Sequence, residues 1–195
     1  MLRQLRPALL SVLALTLLGG LLFPALITGA AQLLFPWQAQ GSLLELDGRI
    51  VGSALIGQRF AAPEYFHPRP SAAGAGYDAS ASGGSNLGPT SQRLIDEIRV
   101  QAAAYRRENG LAADAPVPAD AATRSASGLD PDISPANAAL QTARVARARG
   151  ISEEAVRQLI RASTRPRQLG ILGEPRVNVL ELNLALDRAS RGGEP

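Results

Sequence analysis

The longest apolar stretch of the chain occupies its N-terminal region. Between Arg6 and Glu45 no side chain is ionisable. About 20 apolar residues cross the roughly 30 Å hydrocarbon core of a bilayer as an α-helix, which also pairs every backbone amide away from water. The pattern therefore predicts one transmembrane helix at residues 8–34, preceded by a short N-terminus at residues 1–7 and followed by one domain at residues 35–195.

Charge around the apolar stretch predicts its orientation. Arg3 and Arg6 precede it, and arginine close to a membrane helix is retained on the cytoplasmic side. We therefore expect the N-terminus in the cytoplasm and the domain outside. The alternative is a secreted protein whose signal peptide is cleaved after Ala30. The apolar stretch exceeds the about 7–15 residues of a signal-peptide core, which favours a retained single-pass anchor.

The predicted membrane helix contains a group of small or helix-distorting residues: Thr16, Gly19, Gly20 and Pro24. Small side chains let a second helix approach closely in lipid, and Thr16 and Gly20 have the four-residue spacing of such contacts. These four residues are the candidate helix-packing face. A membrane helix that merely tolerates glycine is an equally open interpretation.

After the membrane helix the pattern changes to short elements. Asp47-Gly48 favours the type I′ turn of a β-hairpin at residues 43–57, whose second arm is apolar enough to be buried. Apolar periodicity and helix-end signals predict helices at residues 90–109 (with Pro89 in the first turn), 134–149, from 152 onward, and 177–188. The last segment also has leucines at strand spacing, and we favour the helix. The expected fold class is α+β, with one β-hairpin and about four helices after the membrane helix.

A long irregular segment, residues 62–91, separates the hairpin from the first of these helices and is rich in Gly, Pro and Ser. Loops of this length in compact domains are usually functional or disordered. Tyr65, Phe66 and Tyr77 argue against disorder, because disordered segments contain few aromatic residues. We therefore expect an ordered loop that presents a surface.

Composition argues against several functions. The chain has no cysteine and one histidine, so a zinc site would lack its usual ligands. Without Arg3 and Arg6, the remaining 18 arginines oppose 17 acidic residues, which argues against nucleic acid as a partner. Asp130-Pro131-Asp132 could offer oxygen ligands to Ca²⁺, but it is too short for a calcium loop, and turn formation is the simpler explanation.

Two segments could carry chemistry. His67 with a serine would make a membrane-anchored hydrolase, although the chain lacks the Gly-x-Ser-x-Gly motif of hydrolase nucleophiles. The glycine-rich residues 82–91 lead into a predicted helix, where backbone amides could bind an anion. Because they lack the lysine and the spacing of a P-loop, a tight structural loop is the favoured interpretation.

Several motifs together resemble one protein family over nearly the whole chain. They are QLLFP (32–36), GSALIGQ (52–58), RPSAA (69–73), SGGSNLGPTS (82–91), SASGLDP (125–131) and LGEPRVNVL (172–180). In these motifs the chain is similar to the C subunit of the bacterial Kdp-type high-affinity potassium-transporting ATPase. It departs from the family pattern at Asp132, where His is common, and at Ile171, where Phe is common.

The resemblance implies a non-catalytic accessory subunit in the bacterial inner membrane, with its domain in the periplasm. It implies three protein partners besides the bilayer: a channel-like potassium-translocating subunit, a P-type ATP-hydrolysing subunit and a small single-helix membrane peptide. It also implies a catalytic-chaperone effect on the ATP affinity of the pump subunit, with ATP and K⁺ handled by the complex. Since ATP is cytoplasmic, we expect that effect to be indirect. The candidate partner or nucleotide-related residues are Tyr65, Arg69, Ser82, Gly83, Gly84, Ser85, Asn86, Gly88 and Gln92.

Overall fold

The computed structural model describes residues 2–191, which divide into two units after Leu43. The first unit consists of α1 (Leu2–Leu17), a π-helical segment (Leu18–Leu22), α2 (Phe23–Leu34) and the single turn α3 (Pro36–Ala39). Within the described residues, Arg3–Leu34 is the one helix long and apolar enough to cross a membrane. The predicted long apolar helix is therefore confirmed, and it begins earlier than residue 8.

The long helix changes its hydrogen-bonding pattern in the segment that contains Gly19 and Gly20 and is followed by Pro24. Leu18–Leu22 is π-helical, and Pro24 stands in the first turn of α2. Proline has no N–H to donate to the carbonyl four residues earlier, so the regular ladder is interrupted at this point. A Cβ at Gly19 would meet nothing within 4 Å, and one at Gly20 would meet only the Thr16 methyl group at 4.0 Å. The helix surface is therefore open beside both glycines.

The second unit, together with Leu43, has the predicted α+β fold. Its elements are β1 (Leu43–Leu46), β2 (Arg49–Ser53), α4 (Gln92–Asn109), α5 (Ala119–Ala122), β3 (Asp132–Ile133), α6 (Pro135–Arg149), α7 (Glu153–Ser163), β4 (Thr164–Arg165), β5 (Arg176–Asn178) and α8 (Val179–Arg191). β1 and β2 form one small sheet. The other sheet has the antiparallel order β3-β5-β4, which brings together strands that are distant in sequence.

The hairpin turn has the predicted conformation. Asp47 has φ 52° and Gly48 has φ 74°, as a type I′ turn requires of both central residues. The prediction that the second arm is buried holds only in part, because Ala54 is buried whereas Leu55 is 61% exposed. β2 ends at Ser53, and Ile50 within it is 61% exposed. A two-stranded sheet buries an apolar side chain only where another layer covers it.

Most helix ends follow the predicted chemistry. Ser134 Oγ accepts a backbone N–H of the first turn of α6 at 3.0 Å. Gly150 closes the same helix in the left-handed conformation, with φ 67°, at little steric cost. The expectation that Pro89 lies in the first turn of α4 is wrong, because this helix begins at Gln92.

The core of the second unit lies among α6, α7, α8 and the three-stranded sheet. Its buried side chains include Phe66, Ile133, Val145, Val156, Val177, Leu182 and Leu186. Val177 belongs to β5, so the helix predicted from residue 177 is wrong for its first two residues, and α8 begins at Val179. Val177 stands opposite Ile133 and Thr164. Three β-branched residues side by side favour the extended backbone.

Candidate functional site

Residues 62–91, hereafter the anchored loop, are held by amide side chains from two helices. Asn183 Oδ1 accepts the Phe66 N–H at 2.8 Å, and the Asn183 amide donates to the Phe66 carbonyl at 3.0 Å. Gln141 makes the same pair of bonds with His67, at 2.8 and 3.0 Å. Each side-chain amide thus bonds both the N–H and the carbonyl of one loop residue, as a neighbouring β-strand would. The loop can therefore be buried without regular secondary structure.

Arg144 of α6 fastens the first part of the anchored loop. Its Nη1 donates to the carbonyls of Pro63 and Tyr65, at 2.7 and 2.9 Å. Its Nη2 and Nε donate to the side-chain oxygens of Gln141 and Asn109, at 2.6 and 3.0 Å. The residue is only 8% exposed, and burial lowers the pKa of the guanidinium. A buried cation is tolerated here because its donors face fixed acceptors.

Tyr65, a predicted partner residue, is fixed by α6 and α8. Its hydroxyl donates to Asp187 Oδ2 at 3.3 Å, and the Arg149 guanidinium lies 4.9 Å from the ring centroid. Arg149 Nη2 also donates to Asp187 Oδ1 at 2.7 Å. Burial, followed by the charge of Asp187, raises the pKa of Tyr65. Tyr65 is therefore partly exposed and at the same time bonded to Arg149 and Asp187.

Arg69, the next candidate, ties the middle of the anchored loop to residues 125–131. Its Nη1 donates to Asp130 Oδ2 at 2.8 Å, and both side chains are partly exposed. The Tyr77 hydroxyl donates to the Arg69 carbonyl at 2.5 Å. Burial raises the pKa of Tyr77 to about 12. These bonds give the loop a second attachment, distinct from that of Arg144.

The glycines of the anchored loop permit a close backbone contact. Ser82 Oγ and the Gly83 N–H both donate to the Ser127 carbonyl, at 2.9 and 2.8 Å. A Cβ at Gly84 would lie 2.7 Å from the Ala126 carbonyl oxygen, which is closer than side chains approach. The Gly83 amide therefore donates within the protein. This arrangement agrees with the interpretation of a tight structural loop.

The other candidates lie along the chain toward α4. Asn86 is left-handed, with φ 52°, and the Gly88 carbonyl accepts a backbone N–H at 3.0 Å. The Gln92 amide donates to Asp96 Oδ1 at 3.0 Å. Ser85 lines a cavity of about 210 Å³ between the loop and α4. Asn86, Gly88 and Gln92 are exposed, and their role as a partner or nucleotide surface stays a prediction.

The imidazole of His67 contacts oxygen acceptors. Its Nδ1 pairs with the Glu108 carboxylate, and its Nε2 lies 3.0 Å from the Ala62 carbonyl. The hydrogen bond from His67 lowers the pKa of Glu108. Among the contacts described for residues 2–191, none brings a serine hydroxyl to the ring. The hydrolase interpretation therefore gains no support from the geometry.

The acidic residues beside the third strand are engaged in turn and ion-pair contacts. The Asp132 N–H donates to Asp130 Oδ1 at 3.0 Å, as in an Asx turn. Asp132 Oδ2 lies 3.0 Å from Arg176 Nε. Burial raises the pKa of Asp132, and the charge of Arg176 opposes the rise. Within residues 2–191 no group of three or more His, Asp or Glu side chains could hold a metal ion.

The side chains that hold the loop could not be identified from the sequence. Gln141 and Arg144 are three residues apart on α6, and both are buried. Asn183 lies between the buried residues Leu182 and Leu184 of α8. A polar residue among apolar positions was the available signal. It did not reveal a partner, because the bonded residues lie far away in sequence.

A long helix whose apolar side chains are exposed, followed by an α+β unit, is the architecture of a membrane-associated subunit. Residues 5–188 match the family model described as "KdpC: K+-transporting ATPase, c chain". The chain belongs to this family of potassium-transporting ATPase subunits, and the resemblance found in its motifs is thereby confirmed.

Curated relatives agree with this assignment. The KdpC subunit of the potassium-transporting ATPase of Gemmatimonas aurantiaca is 61% identical over 191 residues, which are 97% of this chain and 95% of that protein. The corresponding subunit of Caulobacter vibrioides is 60% identical over 189 residues, 96% of this chain and 94% of that one. The subunit of Mycobacterium bovis is 58% identical over 186 residues, 95% of this chain and 98% of that protein.

Proposed function

We propose that this chain is a non-catalytic, single-span subunit that stabilises the assembly of an ATP-driven, high-affinity potassium uptake complex. The family match over nearly the whole chain carries the proposal. The anchored loop supports a non-catalytic role, because its polar groups are used in bonds within the protein. Examples are the His67 N–H, the Arg69 guanidinium and the Pro63 carbonyl. The proposed partners are the channel-like potassium-translocating subunit, the P-type ATP-hydrolysing subunit and the small single-helix peptide.

Co-purification tests this proposal directly. The tagged full-length chain, extracted from its native membrane in detergent, should bring down two large polytopic proteins together with potassium-stimulated ATPase activity. Depletion of the chain should reduce the yield of the assembled complex. A chain that purifies alone, or a complex that assembles equally well without it, would contradict the proposal.

We propose that Thr16, Gly19, Gly20 and Pro24 pack against partner helices in the membrane. Open space beside both glycines supports this arrangement. The Cβ of Gly20→Leu would meet only the Thr16 methyl group, at 4.0 Å, so reduced co-purification would report lost helix packing. Gly29→Leu is the matched control, because a Cβ at Gly29 meets nothing within 4 Å. Equal retention of both variants would contradict the proposed face.

We propose that the N-terminus is cytoplasmic and residues 35–195 are periplasmic. The ground for this orientation is that Arg3 and Arg6 lie at the N-terminal side of the membrane helix. The cysteine-free sequence allows a clean test with single cysteines. Val100→Cys, at a side chain 65% exposed, should react with an impermeant maleimide added outside spheroplasts. Gln4→Cys should react only after the membrane is opened. The reverse pattern would contradict this orientation, and a membrane-bound protein that lacks its N-terminus would indicate cleavage.

For ATP we propose an indirect effect, through contacts with the pump subunit. A periplasmic domain has no access to cytoplasmic ATP. The purified full chain should therefore show no saturable nucleotide binding, whereas the complex should bind ATP more tightly with the chain than without it. Binding by the chain alone that is lost in Gln92→Ala would refute the indirect effect.

A further inference from the structure

The π-helical segment Leu18–Leu22, hereafter the π segment, lacks two hydrogen bonds of a regular α-helix. In an α-helix the carbonyls of Gly19 and Gly20 would accept the N–H groups four residues further along the chain. The Phe23 N–H instead donates to the carbonyl five residues before it, and Pro24 has no N–H. Within the described helix, both glycine carbonyls therefore lack the backbone donors that a regular ladder would supply.

The break in the ladder lowers the cost of bending the helix at the π segment. Bending lengthens the hydrogen bonds on one side of a helix, and here two such bonds are already absent. Sharp bends in helices occur at prolines, at glycine pairs and at π-bulges, and all three coincide here. The glycines have no side chain and add backbone freedom. No residue of the π segment is buried, so no other described element of the chain holds it straight.

The uncharged part of the helix is longer than the core of a bilayer, and the π segment divides it nearly in half. At about 1.5 Å per residue, residues 7–34 extend about 42 Å, whereas the hydrocarbon core is about 30 Å thick. A straight helix of this length must tilt by about 44° to remain within the core, which exceeds the roughly 0–40° that membrane helices show. Residues 7–17 precede the π segment and residues 23–34 follow it. A bend between them lets one half stand upright while the other half takes the tilt.

We propose that the π segment is a hinge that bends the membrane helix to match the thickness of the surrounding bilayer. In a thick bilayer the two halves align, and in a thin bilayer they incline toward each other about Gly19 and Gly20. Because the bend takes up the mismatch, both ends of the helix stay at their interfaces in membranes of different thickness. The inference rests on the proposed membrane span of residues 8–34 and requires none of the proposed partner subunits.

The distance between two spin labels distinguishes bending from tilting. A rigid helix that tilts keeps its end-to-end distance, whereas a helix that bends becomes shorter. The cysteine-free chain accepts nitroxide labels at Gln4→Cys and Gln32→Cys, two exposed positions that are about 42 Å apart in a straight helix. A bend of about 44° would shorten this distance by about 3 Å. Double electron–electron resonance on the full chain should show this shortening in nanodiscs of dimyristoyl phosphatidylcholine, compared with nanodiscs of the longer dierucoyl lipid.

Two variants locate the bend. Gly19→Ala, Gly20→Ala and Pro24→Ala together restore the missing N–H and remove the flexible glycines, and this stiffened variant should keep one distance in both bilayers. Pro7→Ala, which removes the proline of α1, should shorten as the wild type does.

Three results would overturn the hinge: a wild-type distance that is the same in both bilayers, equal shortening of the stiffened variant and the wild type, or loss of the shortening in Pro7→Ala. If the chain does not co-purify with other subunits but shortens as expected, the proposed assembly role falls and the hinge stands.

Discussion

Arg144→Met measures how strongly the anchored loop is held. Methionine has a similar length but no donor, so the carbonyls of Pro63 and Tyr65 lose the bonds that the guanidinium makes to them. The side-chain oxygen of Asn109 also loses its bond from Arg144. A buried acceptor left without a partner costs about 1–3 kcal/mol, and the Asn109 oxygen is such an acceptor, whereas the two carbonyls are partly buried and lose less. Part of the cost is offset because no cation is buried any longer.

The net loss of stability should be about 3 kcal/mol, a large share of the roughly 5–15 kcal/mol of a typical domain. For a unit of this size each kcal/mol shifts Tm by about 2–4 °C, so Tm should fall by roughly 6–12 °C. Thermal unfolding of the full chain in detergent, followed by far-ultraviolet circular dichroism, measures the shift. Chymotrypsin should also cleave next to Phe66 faster than in the wild type, since local opening exposes the loop.

Arg147→Met is the control, on the same helix and at an exposed position. It makes the same chemical change and should alter the stability by no more than about 0.5 kcal/mol. If Arg144→Met lowered Tm no more than Arg147→Met, and cleavage next to Phe66 were unchanged, the bonds of Arg144 would not be what holds the loop.

Two further predictions concern the loop and its neighbour. Gly84→Ala places a methyl group 2.7 Å from a carbonyl oxygen and should lower the free energy of unfolding in urea by about 1–3 kcal/mol. Gly83→Ala, whose methyl group meets nothing within 4 Å, should leave the stability nearly unchanged, and equal losses of stability in the two variants would contradict the close approach. The lowered pKa of Glu108 means that its pairing with His67 stabilises the fold fully above about pH 4.5, the ordinary pKa, and that this stabilisation disappears as the pH falls through the folded-state pKa. Glu108→Gln should therefore flatten the decline of Tm in acid, and an unchanged decline would refute this account.

Local chemistry predicted those features that neighbouring residues decide. The Asp47-Gly48 turn and the ends of α6 at Ser134 and Gly150 need only a few adjacent residues, and all three are confirmed. Ile50 was expected to be buried, but whether a sheet face is covered depends on elements elsewhere in the chain. Val177 reads equally well as helix or strand until the strands on either side of it are known.

The loop attachments could not be predicted, for a related reason. Gln141, Arg144 and Asn183 bond to backbone groups of residues 63–67, and a backbone group has no residue-specific signature in the sequence. The glycines around residue 84 indicated a close approach, but they did not indicate which segment approaches. The partner-facing role of the loop and of the membrane-helix face stays a prediction.

The bond between Phe66 and Asn183 joins residues 117 positions apart, and it has a consequence for biogenesis. The ribosome synthesises Phe66 long before α8. Until α8 is made, the first half of the α+β unit therefore remains incompletely folded and accessible to proteases. Contacts of such long range are formed slowly, and the waiting interval grows with the distance between them. Truncation anywhere before Asn183 should therefore leave a nascent product that quality control removes, even though most of the chain is present.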